Sequence, residues 1–386
     1  MIKFDFNTYM DIEINLDRYE ELTSKLNDAG FIKELIKEDE IKHIKKVSNY
    51  VKKNCDVLLV IGIGGSFMGS YALKNIFTSE FIKSNPEVIY IGNDLSSKYL
   101  NDVINYIEDK EVIVNVISKS GNTLEIKLIY ELIKNNLLKK YTEEDLRKRI
   151  IITTDKLSGA LREEVNKYGY ESLEIPRKIG GRYSLMTPAH LLPLDVLNID
   201  IDKLLAGFIE GLTLKKDAYN YAYIRRELFN REKYIENFSI YEKELFYYTE
   251  WLKQLFGESE GKNGKGIFPV STVNTRDLHS LGQFIEDGNN IIFETVIKVL
   301  NNKDIIVNNK SLNKINNIIL DSVSKTHYKS NTPSNIIVID KINEYNIGML
   351  SSFFMMSAVF SAYLFDVNPF NQDGVELYKK EVNNNL

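Results

Sequence analysis

Four short runs of almost unbroken apolar residues punctuate the first half of the chain: Asp56–Ile61 (DVLLVI), Val88–Ile91, Val112–Ile117 and Ile150–Thr153. Runs without polar alternation belong to strands covered on both faces, as in a parallel sheet. Between them lie the helix-like stretches Tyr71–Phe77, Leu124–Leu138 and Leu157–Tyr168. That strand–helix rhythm predicts a doubly wound α/β domain over residues 46–180. Its ligand is expected beyond the carboxyl ends of the strands, in the loops after Ile61 and Ile117. Ahead of it, Leu16, Tyr19, Leu22 and Leu26 share one helical face and Phe31, Leu35 and Ile36 begin another. Residues 1–45 therefore read as a helical segment packing on a second domain.

Pro176, Gly180, Gly181, Pro188 and Pro193 mark a crossing into that second domain, residues 181–386. It is predicted to hold helices near 202–231, a strand at Tyr234–Tyr241, an extended run at Ile291–Val299 and a buried strand at Ile336–Ile339. The Asn- and Lys-rich stretch 301–317 reads as surface, and Gln372–Val382 as a last amphipathic helix. An amphipathic run through Trp251, Leu252, Leu255 and Phe256 is expected to stop at Gly257, leaving Glu258 and Glu260 in an irregular, glycine-rich segment. Carboxylates so placed are either aimed into a cleft by the helix behind them or simply solvated. The stretch Tyr345–Phe365 carries no charge and is long enough to cross a bilayer. Its Asn346, Ser351, Ser352, Ser357 and Ser361, and the want of a second such segment, favour the core helix of a large soluble domain.

Composition narrows the function classes. The 386 residues are 27% charged with a net charge of −5, which argues against a general nucleic-acid surface. An anionic ligand would thus be held by a few placed groups. The single cysteine, Cys55, fits a reducing cytoplasm, and the four scattered histidines suggest no zinc site. The start, MIKFDFNTYMDIE, lacks the apolar core of a signal peptide.

Two loops could hold a phosphate. Gly62–Ser70 (GIGGSFMGS) joins a strand to a helix, but Phe67 stands where a dinucleotide fingerprint needs its third glycine, and no Lys-Ser/Thr pair follows Gly69. What remains is a glycine turn presenting Ser66, or close strand–helix packing. Ser118–Glu125 (SKSGNTLE) clusters Ser118, Ser120 and Thr123 around Gly121 before another helix. A helix cap needs one hydroxyl; three exceed that need and suit a small oxyanion.

Together these segments resemble the phosphoglucose isomerase family in its shorter bacterial form. The resemblance runs through GIGGSFMG (62–69), SKSGNTLE (118–125), GGRYSLMTP (180–188), QLFGESEGKNGKG (254–266), DLHSLGQ (277–283) and NPFNQDGVELYKK (368–380). It implies two sugar-isomerase-type, doubly wound α/β domains with mainly parallel sheets flanked by helices, plus helical terminal segments. It further implies a cofactor- and metal-free, cytoplasmic homodimer with a shared site, interconverting glucose 6-phosphate and fructose 6-phosphate through an enediol(ate), with no nucleic-acid or membrane partner. On the matching positions, Glu258 would be the proton-transferring base, with Glu260 returned to the solvated reading. Arg182 would stabilise the enediolate oxygens, His279 would open the ring from the neighbouring subunit, and Lys379 would act near the ring oxygen. Gln254 would contact substrate, and Gly65, Ser66, Ser118, Lys119 (through its backbone), Ser120 and Thr123 would cradle the phosphate. Asn122 in place of the usual threonine, Ser70 in place of a common proline, and the stretch THYKSNTPSN (326–335) depart from the family pattern, so no role is assigned to His327. A non-catalytic sugar-phosphate regulator on the same fold, or an isomerase of another phosphosugar such as mannose 6-phosphate, are the rival readings.

Overall fold

The structure, a computed structural model, describes residues 2–386 apart from the side chain of Asn383. The chain forms two compact units: Ala29–Ile201, and the N-terminal residues through Asp28 together with Asp202–Leu386. The boundaries expected at 45/46 and 180/181 thus fall at 28/29 and 201/202. The second displacement has a local cause. The backbones of Gly65 and Gly181 abut so closely that a Cβ on Gly65 would lie 2.1 Å from the Gly181 carbonyl carbon, which ties the 180–190 segment to the first sheet.

The N-terminus, expected to be helical, opens instead with a strand, β1 (Ile2–Tyr9). Ile2, Phe4 and Phe6 alternate with Lys3, Asp5 and Asn7, the period of a strand rather than a helix. Helix begins only at Tyr19–Asn27, where Leu22 and Leu26 are buried as expected.

Residues 29–201 build a sheet from β2 (Val57–Ile61), β3 (Glu87–Ile91), β4 (Val112–Ile117), β5 (Ile150–Thr154) and β6 (Glu171–Glu174), in the order β3-β2-β4-β5-β6. Every pairing in it is parallel. β2 and β4 are adjacent and fully buried, as their unbroken Val/Ile/Leu content requires, and both chains leave the sheet at the same edge.

The other unit builds a second sheet from β7 (Ile235–Ile240), β8 (Phe268–Val273) and β9 (Ile292–Val299). A two-stranded ribbon, β10 (Ile306–Val307) with β11 (Lys310–Ser311), follows, and then β12 (Ser334–Ile339). The sheet order is β1-β12-β9-β7-β8, parallel throughout except for β1, which runs antiparallel along β12. The uncharged stretch is the helix Glu344–Leu364, and 89% of its most apolar window is buried within the protein. Its serines are satisfied internally: Ser351 and Ser357 donate to the carbonyls of Ile347 (2.7 Å) and Phe353 (2.8 Å). Gly348 and Gly207 let this helix meet the Ile201–Gly211 helix backbone to backbone, since a Cβ on Gly348 would fall 2.1 Å from the Leu204 carbonyl oxygen. The architecture is α/β, two mainly parallel sheets each flanked by helices.

Candidate active site

In residues 29–201, β2 ends at Ile61 and the chain makes a 3-10 turn, Gly64–Ser66, before the helix Met68–Phe77. Gly64 sits at φ +53°, a left-handed conformation that glycine adopts without a steric penalty. The Ser66 amide is spent inside the turn, donating to the Ile63 carbonyl at 3.0 Å, and Ser66 itself is half-buried. The glycines of this motif also serve packing: Gly65 admits Gly181, and a Cβ on Gly69 would sit 2.8 Å from Leu185 Cδ1 and 3.1 Å from His190 Cε1.

Beyond β4, Ser118 is buried and Ser120 exposed. The Ser118 hydroxyl accepts from the Gly121 amide (3.1 Å) and lies 3.5 Å from the Thr123 hydroxyl. Thr123 is the N-cap of the helix Leu124–Leu137, yet its side chain makes no capping bond. The cap reading of this hydroxyl cluster therefore does not account for Thr123, and the helix start keeps donors for an anion. Asn122 is exposed at the rim. The Lys119 ammonium points elsewhere, donating to the carbonyls of Arg177 (2.5 Å) and Ile179 (3.1 Å) and bracing the chain just ahead of Gly180. Burial lowers its pKa.

Arg182 lies in the 3-10 turn Gly181–Tyr183, and only 2% of it is exposed. Its turn is held against the Ser66 loop by two side chains that the motif reading passed over. Ser184 Oγ donates to the Gly181 carbonyl (2.6 Å) and lies 3.1 Å from the Gly65 carbonyl, while His190 Nε2 lies 2.7 Å from that same Gly65 oxygen. Burial pulls the His190 pKa down to about 4, opposed by the Gly65 hydrogen bond, so the ring is neutral. His190 lies two residues beyond the motif that contains Arg182 and Ser184, but its partners Gly65 and Ser70 belong to another motif, so nothing in the sequence singles it out.

In the other unit, the helix Phe246–Glu260 runs straight through Gly257, contrary to the expected break, and is capped at Gly261. A helical glycine costs about 1 kcal/mol; here the burial of Trp251, Leu252, Leu255 and Phe256 and the anchoring of Glu260 outweigh it. Glu258 and Glu260 thus occupy the helix's last turn, in opposite circumstances. Glu258 is half-buried, and Gln254 Nε2 donates to its Oε1 at 3.1 Å, one helical turn apart. Gln254 Oε1 is buried with no hydrogen-bond partner among the described residues.

Glu260, expected to be solvated, is fully buried. Arg225 grips it with both terminal nitrogens (2.7 and 2.9 Å), Ser361 Oγ donates to it (2.6 Å) and the Ile267 amide donates at 3.1 Å. Arg225 Nε also donates to Glu236 (2.8 Å), which in turn accepts from Tyr221 (2.5 Å) and Thr295 (2.7 Å). Burial, reinforced by the Glu236 charge, raises the Tyr221 pKa well above its ordinary value, keeping the phenol a donor. Glu260 is a structural anchor that closes the KNGKG loop back onto the helix.

His279 sits at the end of the 3-10 turn Arg276–His279 and is exposed. Lys379, on the C-terminal helix Glu376–Asn385, is exposed and paired with Glu376 at 2.8 Å. That hydrogen bond raises its pKa against burial, and the Glu258 charge adds to the rise. The structure therefore brings together Gln254 and Glu258, sets Lys379 within electrostatic reach of Glu258, and leaves His279 at the surface. Among the described residues no cluster of three or more His, Cys, Asp or Glu could hold a metal. His327 lies on the helix Leu312–Lys329, buried, with Nδ1 2.8 Å from Glu294 Oε2.

Two mainly parallel sheets, one with paired hydroxyl loops at one strand edge, define an α/β protein of the phosphosugar-isomerase fold. Its fold matches a crystal structure of a hypothetical protein from Thermus thermophilus (TM-score 0.86, 21% identity, 100% of this chain and 99% of that one). It also matches that of a glucose-6-phosphate isomerase from Chlamydia trachomatis (TM-score 0.75, 20% identity, 97% and 75%). The sequence is 41% identical over 372 residues to the glucose-6-phosphate isomerase of Shouchella clausii, covering 89% of this chain and 82% of that relative. Residues 31–213 and 302–385 match the model of the phosphoglucose isomerase family, and the chain belongs to that family.

Proposed function

We propose that the chain interconverts glucose 6-phosphate and fructose 6-phosphate, a step of glycolysis and gluconeogenesis, with Glu258 as the base. Glu258 takes the proton from C2 of the open aldose, and the electron pair forms the C1–C2 double bond of a cis-enediolate as the C1 carbonyl pair moves onto O1. A proton passes from O2 to O1, and the proton on Glu258 returns at C1 as the C2 carbonyl of the ketose forms. Arg182 offsets the negative charge that develops on the C1 and C2 oxygens. His279 and Lys379 move the ring-opening proton, and Gln254 orients a sugar hydroxyl. Ser66, Ser118, Ser120 and Thr123 hold the phosphate, with Gly65 giving the loop its shape, so that binding remote from the reacting carbons positions them. The Lys119 ammonium braces the neighbouring turn while its backbone lines the cradle.

What carries this reading is the contrast within one helical turn: Glu260 is committed to Arg225, whereas Glu258 is half-buried and held by Gln254. The exposure of His279 supports a homodimer in which it serves the neighbouring subunit's substrate. The buried thiol of Cys55, its pKa pushed up to about 12 by burial, is consistent with a reducing cytoplasm.

The test is a coupled assay of fructose 6-phosphate conversion with the native chain and Glu258→Gln. Turnover should fall by roughly three orders of magnitude or more with substrate affinity kept. Near-native turnover in the variant removes Glu258 as the base, and a native chain that binds the sugar phosphates without turning them over is a regulator instead. For the dimer, inactive Glu258→Gln and His279→Ala chains should recover activity when their subunits exchange; no recovery after verified exchange refutes the shared site.

A further inference from the structure

We propose that His190 is a positioning residue for the anion-binding loop: it pins the Gly65–Ser66 peptide and thereby fixes where the Ser66 hydroxyl meets the substrate phosphate. This rests on the reading of residues 62–70 as part of the phosphate cradle.

The ring's hydrogen bonds define its tautomer. The Ser70 amide donates to Nδ1 at 3.0 Å, so Nδ1 is an acceptor and the hydrogen sits on Nε2, which donates to the Gly65 carbonyl at 2.7 Å. One imidazole thus spans the loop from its turn to the first turn of the following helix. The peptide it holds is planar, so fixing its carbonyl also fixes its amide plane. From the opposite side the Ser66 amide of that same plane donates to the Ile63 carbonyl at 3.0 Å. Clamped at both ends, the plane leaves Ser66 Cα little freedom, so the half-buried Ser66 side chain projects from a fixed point of the loop.

The clamp also couples two parts of the site. Ser184 Oγ lies 3.1 Å from His190 Nε2 and donates to the Gly181 carbonyl at 2.6 Å, so the same hydrogen-bond chain holds the turn that carries Arg182. Space for the ring comes from Gly69, whose missing side chain would otherwise sit 3.1 Å from His190 Cε1. A ring wanted only to fill that space could be a leucine. The donor toward Gly65 is what leucine lacks and glutamine can supply.

The full chain is compared as native, His190→Leu, His190→Gln and Ser118→Ala, at a temperature where each is folded by circular dichroism. KM for fructose 6-phosphate and the inhibition constant of inorganic phosphate should rise together by ~10-fold in His190→Leu, with kcat falling less, as expected for a lost buried hydrogen bond. His190→Gln should bring both constants back to within ~3-fold of native by restoring the donor. A merely structural histidine would lower the melting temperature of His190→Leu and leave the phosphate constant of the folded variant unmoved; that result overturns the proposal. Ser118→Ala separates the two levels. If it weakens phosphate while His190→Leu does not, the clamp alone is wrong; if it does not weaken phosphate, the cradle reading has failed and the clamp with it. Should His190→Leu not fold, Ser184→Ala takes its place with a ~3-fold rise expected, and no rise overturns the proposal.

Discussion

In the unit of residues 29–201 the central strands β2 and β4 are apolar but for Asn115, and hydroxyls gather in the loops past their ends. The other unit places charge inside: Arg225, Glu236 and Glu260 lie fully buried among its helices and sheet, as does the Glu294–His327 pair. The two buried histidines repeat the contrast. His190, facing a carbonyl and an amide, is kept neutral by burial. His327 is also penalised by burial, but the hydrogen bond and charge of Glu294, with Glu286 adding, outweigh it and raise its pKa. An apolar sheet can present backbone and hydroxyl loops to an anion without rearranging its own interior. The end of the helix that carries Glu258 is instead bolted down by Glu260, at the cost of a buried ion network.

The largest effect should come from that network. Arg225→Met leaves Glu236 and Glu260 without their cation and should lower the unfolding free energy by ~3–5 kcal/mol, read by urea denaturation. Arg177→Met, which breaks an ion pair with Asp155 whose arginine is exposed in the apolar-sheet unit, should cost far less. Equal losses would erase the distinction between the two units.

The histidines give opposite pH slopes. The folded pKa of His190 lies below its unfolded value, so its contribution is complete above pH ~6.5 and is lost as pH falls toward ~4, about 3 kcal/mol in all. The folded pKa of His327 lies above its unfolded value, so its contribution is complete below that value and is lost as pH rises through the folded one. Denaturation across pH should therefore show His190→Gln flattening the acid limb and His327→Gln flattening the limb on the other side. Both variants acting on the same limb would contradict the assignment.

Smaller again is the effect of one methyl group in the loop. Gly65→Ala must push apart two backbones and should cost ~1–3 kcal/mol and raise KM. Gly180→Ala, with nothing within 4 Å of its Cβ, should stay within ~0.5 kcal/mol of native.

The apolar-sheet unit is the more legible in the sequence, because unbroken runs such as VLLVI announce their own burial. β1 is harder to read although Ile2, Phe4 and Phe6 alternate, since the leucine spacing from Leu16 onward invites a helix over the whole segment. The break expected at Gly257 overrates a local propensity that packing overrides. Glu260 cannot be separated from a solvated glutamate by sequence because its partner Arg225 is distant along the chain and adjacent only once folded. His190 is hidden for the same reason, its partners Gly65 and Ser70 lying in another motif. Motif spacing identifies candidate chemistry, and the long-range pairs that fix its geometry come only with the fold.

β1 has a consequence for how the chain is made. Its Ile2 pairs with Ile339 on β12, so β1 finds its sheet partner only after the residues between the two strands have been synthesised. Residues 29–201 are continuous and can complete their sheet during translation, while the leading strand waits as an unpaired ribbon. The pairing works as a clasp: β1, made before β12, covers the β12 edge of a sheet whose other strands all follow it in the chain.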